Sequence, residues 1–241
     1  MNNNQCGSLY LLLVFAVKLN LFFIGALFPH ANAQVSTTLL LTNDYLFNGV
    51  SQTLEDPALQ LTVNWQSQSN YYAGGFISNV DFGDDTNIEA DAYLGYYHAF
   101  NKSFAVDIGL AQYSYHGASY SDELNYAETW LKFNINDTAL NFWYSWDYFG
   151  FGGGHYIVML NHTVKVNEQL SVLFGVDKST SLDSDSWQWG NNDTDYVHWQ
   201  VMSYFSYQGI DMALGVQGTD LDKTFALPSD TSIIFSLSRS F

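Results

Sequence analysis

Carboxylates dominate the chemistry open to this chain. Glu89, Asp91, Asp107, Glu128 and Asp177 each occupy an alternate position in a stretch of alternating apolar residues. That spacing puts each of them on the polar face of its own strand. Lys132 is a cation on such a face, and it can pair with Glu128, four residues away, only through a neighbouring strand. Carboxylates on the wall of an aqueous channel attract cations and repel anions. For any one of them the plainer expectation is a hydrogen-bonded strut inside a lumen. Their sum, with so little compensating base, is what points to selectivity.

The remaining reactive groups say less. Five histidines follow Ala33, namely His98, His116, His155, His162 and His198. No two have the HxxxH or HxH spacing of a metal pair, so no metal and no cofactor is expected. Asp147 and His155, across one loop, are the one pair that could form part of a hydrolase site. Gly152-Gly153-Gly154 lacks the lysine and the strand-to-helix context of a phosphate loop, and reads as a flexible loop. Asp183-Ser184-Asp185 and Asn191-Asn192-Asp193-Thr194-Asp195 carry hard oxygen donors without calcium-loop spacing, so they read as solvated charge.

The elements that must position these groups are strands. Leu170, Val172, Phe174 and Val176 alternate with Ser171, Gly175 and Asp177, and Ile233, Phe235 and Leu237 with Ser232, Ser236 and Ser238. Val197, Trp199 and Val201 alternate with His198 and Gln200 in the same way. About twelve strands are predicted, over 35–47, 57–66, 71–80, 88–98, 103–114, 125–134, 138–147, 155–164, 169–177, 195–207, 210–218 and 231–241. Their connections alternate in length. Ser67–Asn70, Phe100–Lys102, Ile135–Asp137, Lys165–Glu168 and Gln208–Gly209 are short, and the segments between the other strand pairs are long. Strands of about 10 residues with alternating short and long connections are the signature of an outer-membrane barrel.

Composition agrees. Charged residues make up 13% of the 241, about half the usual share, while aromatics reach 17%. Soluble sandwiches and lipocalin-like barrels also alternate, but they carry more charge and fewer aromatics. The balance of 7 Lys+Arg against 24 Asp+Glu gives a net charge of -17, a poor match to a phosphate backbone, so no nucleic-acid partner is expected. Lys102 and Lys165 fall in short turns, which leaves Lys132 and Lys178 nearest the lumen. Cys6 alone forms no disulfide framework.

Leu19–Phe28 is an apolar core of signal-peptide length, followed by Ala31-Asn32-Ala33. Residues 1–33 are therefore expected to be a signal peptide cleaved after Ala33, and 34–241 the barrel domain. The stretch before Lys18 carries no cation, so translation starts either at Met1 or at Val17. No apolar run long enough for a spanning helix follows Gln34.

In hydrocarbon every backbone N–H and C=O must be paired, and strands achieve that only in a closed sheet. The expected fold is thus all-β, a single antiparallel transmembrane β-barrel of about 12 strands with short periplasmic turns and long extracellular loops. Tyr71-Tyr72, Tyr96-Tyr97, Trp143-Tyr144, Trp146, Tyr148 and Tyr204 are candidates for the two aromatic girdles. A closing strand that ends in Phe241 resembles the assembly signal of bacterial outer-membrane barrels, with Arg239 a mild departure from it. Expected partners are outer-membrane lipids and lipopolysaccharide, the barrel assembly machinery and small solutes.

Several segments resemble the TorF-type putative porins, a proteobacterial outer-membrane family. They are Thr42 through Thr53 with Pro57-Ala58-Leu59-Gln60, then Tyr72-Ala73-Gly74 with Ser78-Asn79-Val80-Asp81-Phe82. Glu89 through Tyr96, Tyr113-Ser114-Tyr115, Glu128, Tyr148-Phe149-Gly150 and Asp220 continue in the same order. The resemblance implies a barrel and a channel without supplying a substrate. Asn48 stands where that family usually has Arg, so no role of that Arg carries over. The function expected is passive passage of small solutes, favouring cations, through the outer membrane of a Gram-negative bacterium. A non-conducting structural or adhesive barrel is the alternative, and an outer-membrane hydrolase is third.

Overall fold

The computed structural model describes residues 34–190, 193–222 and 225–241. The expected signal segment, 1–33, lies outside the described residues. Twelve long strands follow one another: β1 (Gln34–Thr42), β2 (Ala58–Gln66), β3 (Tyr71–Asn79), β4 (Ile88–Asn101), β5 (Phe104–Tyr113) and β6 (Tyr126–Ile135), then β7 (Thr138–Ser145), β8 (His155–Lys165), β9 (Leu170–Ser181), β10 (Asp195–Tyr207), β11 (Ile210–Thr219) and β12 (Ser232–Ser240). Each pairs antiparallel with the next, and β12 returns to β1 in the register Thr38↔Ser240 through Thr42↔Ser236. Phe241 extends the seam, donating its N–H to Thr37 O at 2.8 Å and accepting from Thr37 N at 3.1 Å. The sheet is closed, so it has no unpaired edge.

Short and long connections alternate as the sequence predicts. The short turns at 136–137 and 208–209 use residues that tolerate the left-handed region, with Asn136 at φ 51 and Gly209 at φ 77. The long connections all gather at the other end of the barrel, and Tyr115–His116 in one of them extends the pairing along β4.

Alternation sorts the side chains. On β2, Leu59, Leu61, Val63 and Trp65 are exposed on the outer wall, while Ala58, Gln60, Thr62 and Asn64 are buried inside. The other strands repeat this, with Leu94, Ile108, Leu131, Phe142, Leu160, Phe174, Val201, Leu214 and Phe235 outermost. A continuous apolar belt of this kind suits contact with lipid.

Two expectations need correction. The first strand stops at Thr42 and not at residue 47, because Asn43–Tyr45 turn the chain inward. Of the girdle candidates, Tyr71, Tyr96, Tyr144 and Trp146 lie outside, with the rings of Tyr71 and Tyr96 4.9 Å apart. Tyr72, Trp143 and Tyr148 are buried in the interior, and Tyr97 and Tyr204 also fall on inward positions. Adjacent residues of a strand point to opposite faces, so a Tyr-Tyr pair cannot supply two girdle rings.

Glycines make room for the inward rings. Tyr72 lies opposite Gly95, Tyr93 opposite Gly74, and Trp130 opposite Gly109. A Cβ on any of these three glycines would run into the facing ring. The rings lie flat on the wall only because the partner strand has no side chain there. Gly109→Val is therefore expected to displace Trp130 and destabilise the barrel by about 1–3 kcal/mol, the usual cost of overpacking. The check is the temperature at which the compact, unboiled form is lost on an SDS gel. A variant as heat-resistant as the wild type would mean that this ring–glycine contact contributes nothing.

Candidate functional site

The interior is built around an inward hairpin. Leu46–Phe47 pair with Val50–Ser51 across the two-residue turn Asn48-Gly49. Both turn residues have positive φ, 48° and 81°, which is the two-residue geometry that Asn-Gly favours. Gly49 has a second reason to be glycine. A Cβ there would come 2.6 Å from His198 Cδ2 and 2.5 Å from Thr219 Cγ2. The turn thus presses against β10 and β11, while Phe47 reaches Tyr113 of β5 at 6.1 Å between ring centres. Asp44 braces the base of the hairpin, its Oδ1 accepting from Ser51 Oγ at 2.7 Å and Thr53 Oγ1 at 3.0 Å. Burial holds the Asp44 carboxyl above its ordinary value, and those two hydroxyls offset part of the rise.

The tip of the hairpin is latched to the wall through Asp177. Asn48 Nδ2 donates to Asp177 Oδ1 at 3.1 Å, and His198 Nδ1 meets Asp177 Oδ2 at 2.6 Å. His198 Nε2 lies 2.9 Å from Gln217 Oε1. Tyr196 Oη donates to Asn48 O at 3.0 Å. Asn48, where the resembled family usually has Arg, thus serves as a hydrogen-bonding tip. The sequence pattern predicts strand through residue 47 followed by a loop. Its signal was present in the Asn-Gly dipeptide between Leu46-Phe47 and Val50.

Glu89, Asp91, Asp107, Glu128 and Asp177 all fall on the inner face, and all are buried. Asp107 accepts from Tyr72 Oη at 2.6 Å and from Trp130 Nε1 at 2.8 Å. Lys132 stands opposite Asp107 in the register, with both Asp107 and Glu128 close enough to act on its charge and the Trp130 and Trp143 ring centres 5.0 and 5.5 Å from its Nζ. Glu128 Oε2 accepts from Tyr113 Oη at 3.2 Å. Glu89 and Asp91 neighbour each other and Tyr45. Lys178 is on the outer face, 3.0 Å from Asp195, and so not near the lumen.

Aromatic rings fill much of the interior and its loop end. Tyr113 stacks on Tyr126 at 4.5 Å, and Tyr148 on His155 at 3.9 Å. Trp189 lies over Tyr196 at 4.5 Å and Phe225 at 5.6 Å. In the loop that carries Gly152-Gly153-Gly154, Gly150 closely approaches Glu123 of the neighbouring loop, while Gly152 stands in open space. Asp147 Oδ1 accepts from Gly152 N at 2.7 Å, while the His155 ring faces Tyr148 and Trp189. Among the described residues no cluster of His, Cys, Asp or Glu is arranged to hold a metal.

Opposite this packed side, a cleft runs beside the hairpin, bounded by β1, β10, β11 and β12. It is partly open to solvent. Thr42, Asp44, Asn48, His198, Gln200 and Gln217 give it polar groups. The six residues singled out from the sequence, Lys132 among them, are absent from its lining.

If the Asp177 contacts hold the hairpin in place, removing them must loosen it. The chain has no cysteine after Cys6, so Val50→Cys, at a buried position, is a clean probe. Adding Asp177→Ala is expected to speed its labelling by a membrane-impermeant maleimide about tenfold, the effect of losing one charge-assisted hydrogen bond. Equal labelling rates would show that the hairpin is held elsewhere.

The fold has solved counterparts. The NanC porin aligns at a TM-score of 0.57 with 10% identity, covering 86% of this chain and 99% of that one. The KdgM porin, in a complex with disordered oligogalacturonate, aligns at 0.53 with 10% identity, covering 86% and 98%. At that identity the likeness is one of fold, a porin-like outer-membrane β-barrel. No curated protein matches the chain in sequence. The family described as "Bacterial protein of unknown function (Gcw_chp)" matches residues 27–241. That match takes in every strand of the barrel, and the chain belongs to this bacterial family.

Proposed function

We propose that the protein is an outer-membrane channel for passive passage of small solutes, with a preference for cations, and a channel of the TorF type that its segments resemble. The observation that carries this reading is the closed twelve-stranded barrel with an apolar outer belt and a polar inner face, to which Gln60, Thr62, Asn64, Asn161 and Gln200 contribute from β2, β8 and β10. An inner face of that kind suits an aqueous path.

The charge balance supports the cation preference. Glu89, Asp91, Asp107, Glu128 and Asp177 face inward with Lys132 among them. Although covered by neighbouring side chains, they act through their field, which reaches about 8 Å at physiological ionic strength. The apolar belt fits outer-membrane lipid and lipopolysaccharide, and the seam at Phe241 is where the assembly machinery would close the sheet. Passive passage needs no catalytic residue.

The aromatic packing against β3 to β8 favours one alternative, a non-conducting barrel that serves envelope integrity or adhesion. Planar-bilayer recording separates the two. The expected result is a small steady conductance whose reversal potential in a KCl gradient shows cation preference, weakening in high salt. Replacing Glu89 and Asp91 with Gln and Asn should reduce that preference. Anion preference would overturn the selectivity, and an assembled barrel with no conductance would overturn the channel itself.

A further inference from the structure

His198 joins three elements that the sequence keeps far apart. It lies opposite Asp177 on β9 and Thr219 at the end of β11, and the turn of the inward hairpin rests against its ring. We infer that His198 and Asp177 form a pH-sensitive latch, which holds the hairpin while His198 is protonated and releases it as pH rises. The switch itself stands apart from the channel reading above, and only its consequence for passage rests on that reading.

Both ring nitrogens of His198 face oxygen. Nδ1 is 2.6 Å from Asp177 Oδ2, and Nε2 is 2.9 Å from Gln217 Oε1. A neutral imidazole carries one N–H and an imidazolium two, so only the protonated ring donates to both. The pair is buried, and His198 is the partner that can oppose the charge of Asp177. The other oxygen of Asp177 accepts from Asn48 Nδ2 at 3.1 Å, so ion pair and hairpin tip meet on one carboxylate. Loss of the ring proton leaves that carboxylate buried without an opposing charge, which is costly unless water reaches it. Water admitted there competes with Asn48 for the same oxygens.

Two further features suit a hairpin that can be released. Leu54 and Glu55, just beyond it, have φ 51° and 68°, a left-handed pair that persists only while its surroundings hold it. Asp44, Leu46 and Asn48 form one side of the cleft that His198 and Gln217 line from the other, so withdrawing the hairpin widens that space.

The other ionisable groups around the latch are few. Asp44 faces it across the cleft from the hairpin base, Tyr196 of β10 and Tyr148 of the neighbouring loop lie near Asp177, and Asp220 follows β11. Of these residue types, histidine is the one that ordinarily changes charge between about pH 5 and 8. The latch is complete at the acid end of that range and loses its ion pair toward the alkaline end.

The test uses the Val50→Cys barrel in detergent micelles, labelled with a maleimide from about pH 5.5 to about pH 7.5, inside the range of histidine titration. Each rate is divided by that of the same protein unfolded in guanidinium chloride at the same pH, which removes the thiol's own pH dependence. The ratio is expected to rise about tenfold, the difference between a charge-assisted and a neutral hydrogen bond. His198→Gln, which cannot change charge, should flatten the profile. Gln217→Glu, whose carboxylate only accepts, should move the rise to higher pH, and it decides the matter should His198→Gln fail to assemble. A flat wild-type profile, a rise that survives in His198→Gln, or a rise that Gln217→Glu leaves in place overturns the latch. Planar-bilayer recording across the same range separates the two readings. Conductance that grows with pH supports the latch, whereas a pH-dependent labelling ratio in a barrel that passes no ions overturns the channel and supports the latch alone.

Discussion

Hydrocarbon offers no partner for a peptide group, and that constraint shapes this protein from end to end. An open sheet would leave two rows of N–H and C=O groups bare, at several kcal/mol each. The seam between β1 and β12, continued by the Thr37–Phe241 pair, removes both edges together. Because every neighbour around the ring is antiparallel, closure takes an even number of strands. The outer wall is then free to be apolar, and every polar requirement of the sequence has to be met inside.

The interior meets it with two different materials. Between β3 and β8, broad rings lie flat against glycines on the partner strand, and carboxylates such as Asp107 and Glu128 are held by phenol and indole donors. Both of these acids are tied to the wall by those donors. Between β10 and β1 the wall is thinner in side chain and rich in amides. The hairpin divides the two regions, touching Tyr113 on one side and His198 on the other. Its small size suits the task, since an Asn-Gly turn is narrow enough to enter a barrel of twelve strands and latch to the wall at its tip.

The loop end shows how aromatic surplus is used. Trp187 and Trp189 belong to a stretch that reads as solvated and acidic, yet they cap the barrel by packing on Tyr148, Phe151 and Tyr196. Acidic neighbours such as Asp183 instead organise the turn that carries these rings, its carboxylate accepting from Ser186 Oγ and Asp185 N. Charge and ring therefore cooperate within one loop. A low proportion of charged residues hides this, because the aromatic content of a barrel is expected at the membrane interface first.

Legibility followed the range of the interactions. Strand number, the alternation of turn lengths, and the inward direction of Glu89, Asp91, Asp107, Glu128 and Asp177 are local properties. Each depends on a period of two residues and on the chain reversing at Asn, Gly and Asp, so the sequence alone determines them. It even contained the hairpin, in Asn48-Gly49, although a strand drawn through residue 47 concealed it. What tertiary structure decided is who meets whom. Asn48 and Asp177 are 129 residues apart, and Lys132 stands opposite Asp107 because of the register between β5 and β6. Register and lumen contacts arise from closing the whole sheet around one small volume, and no local periodicity encodes that distance.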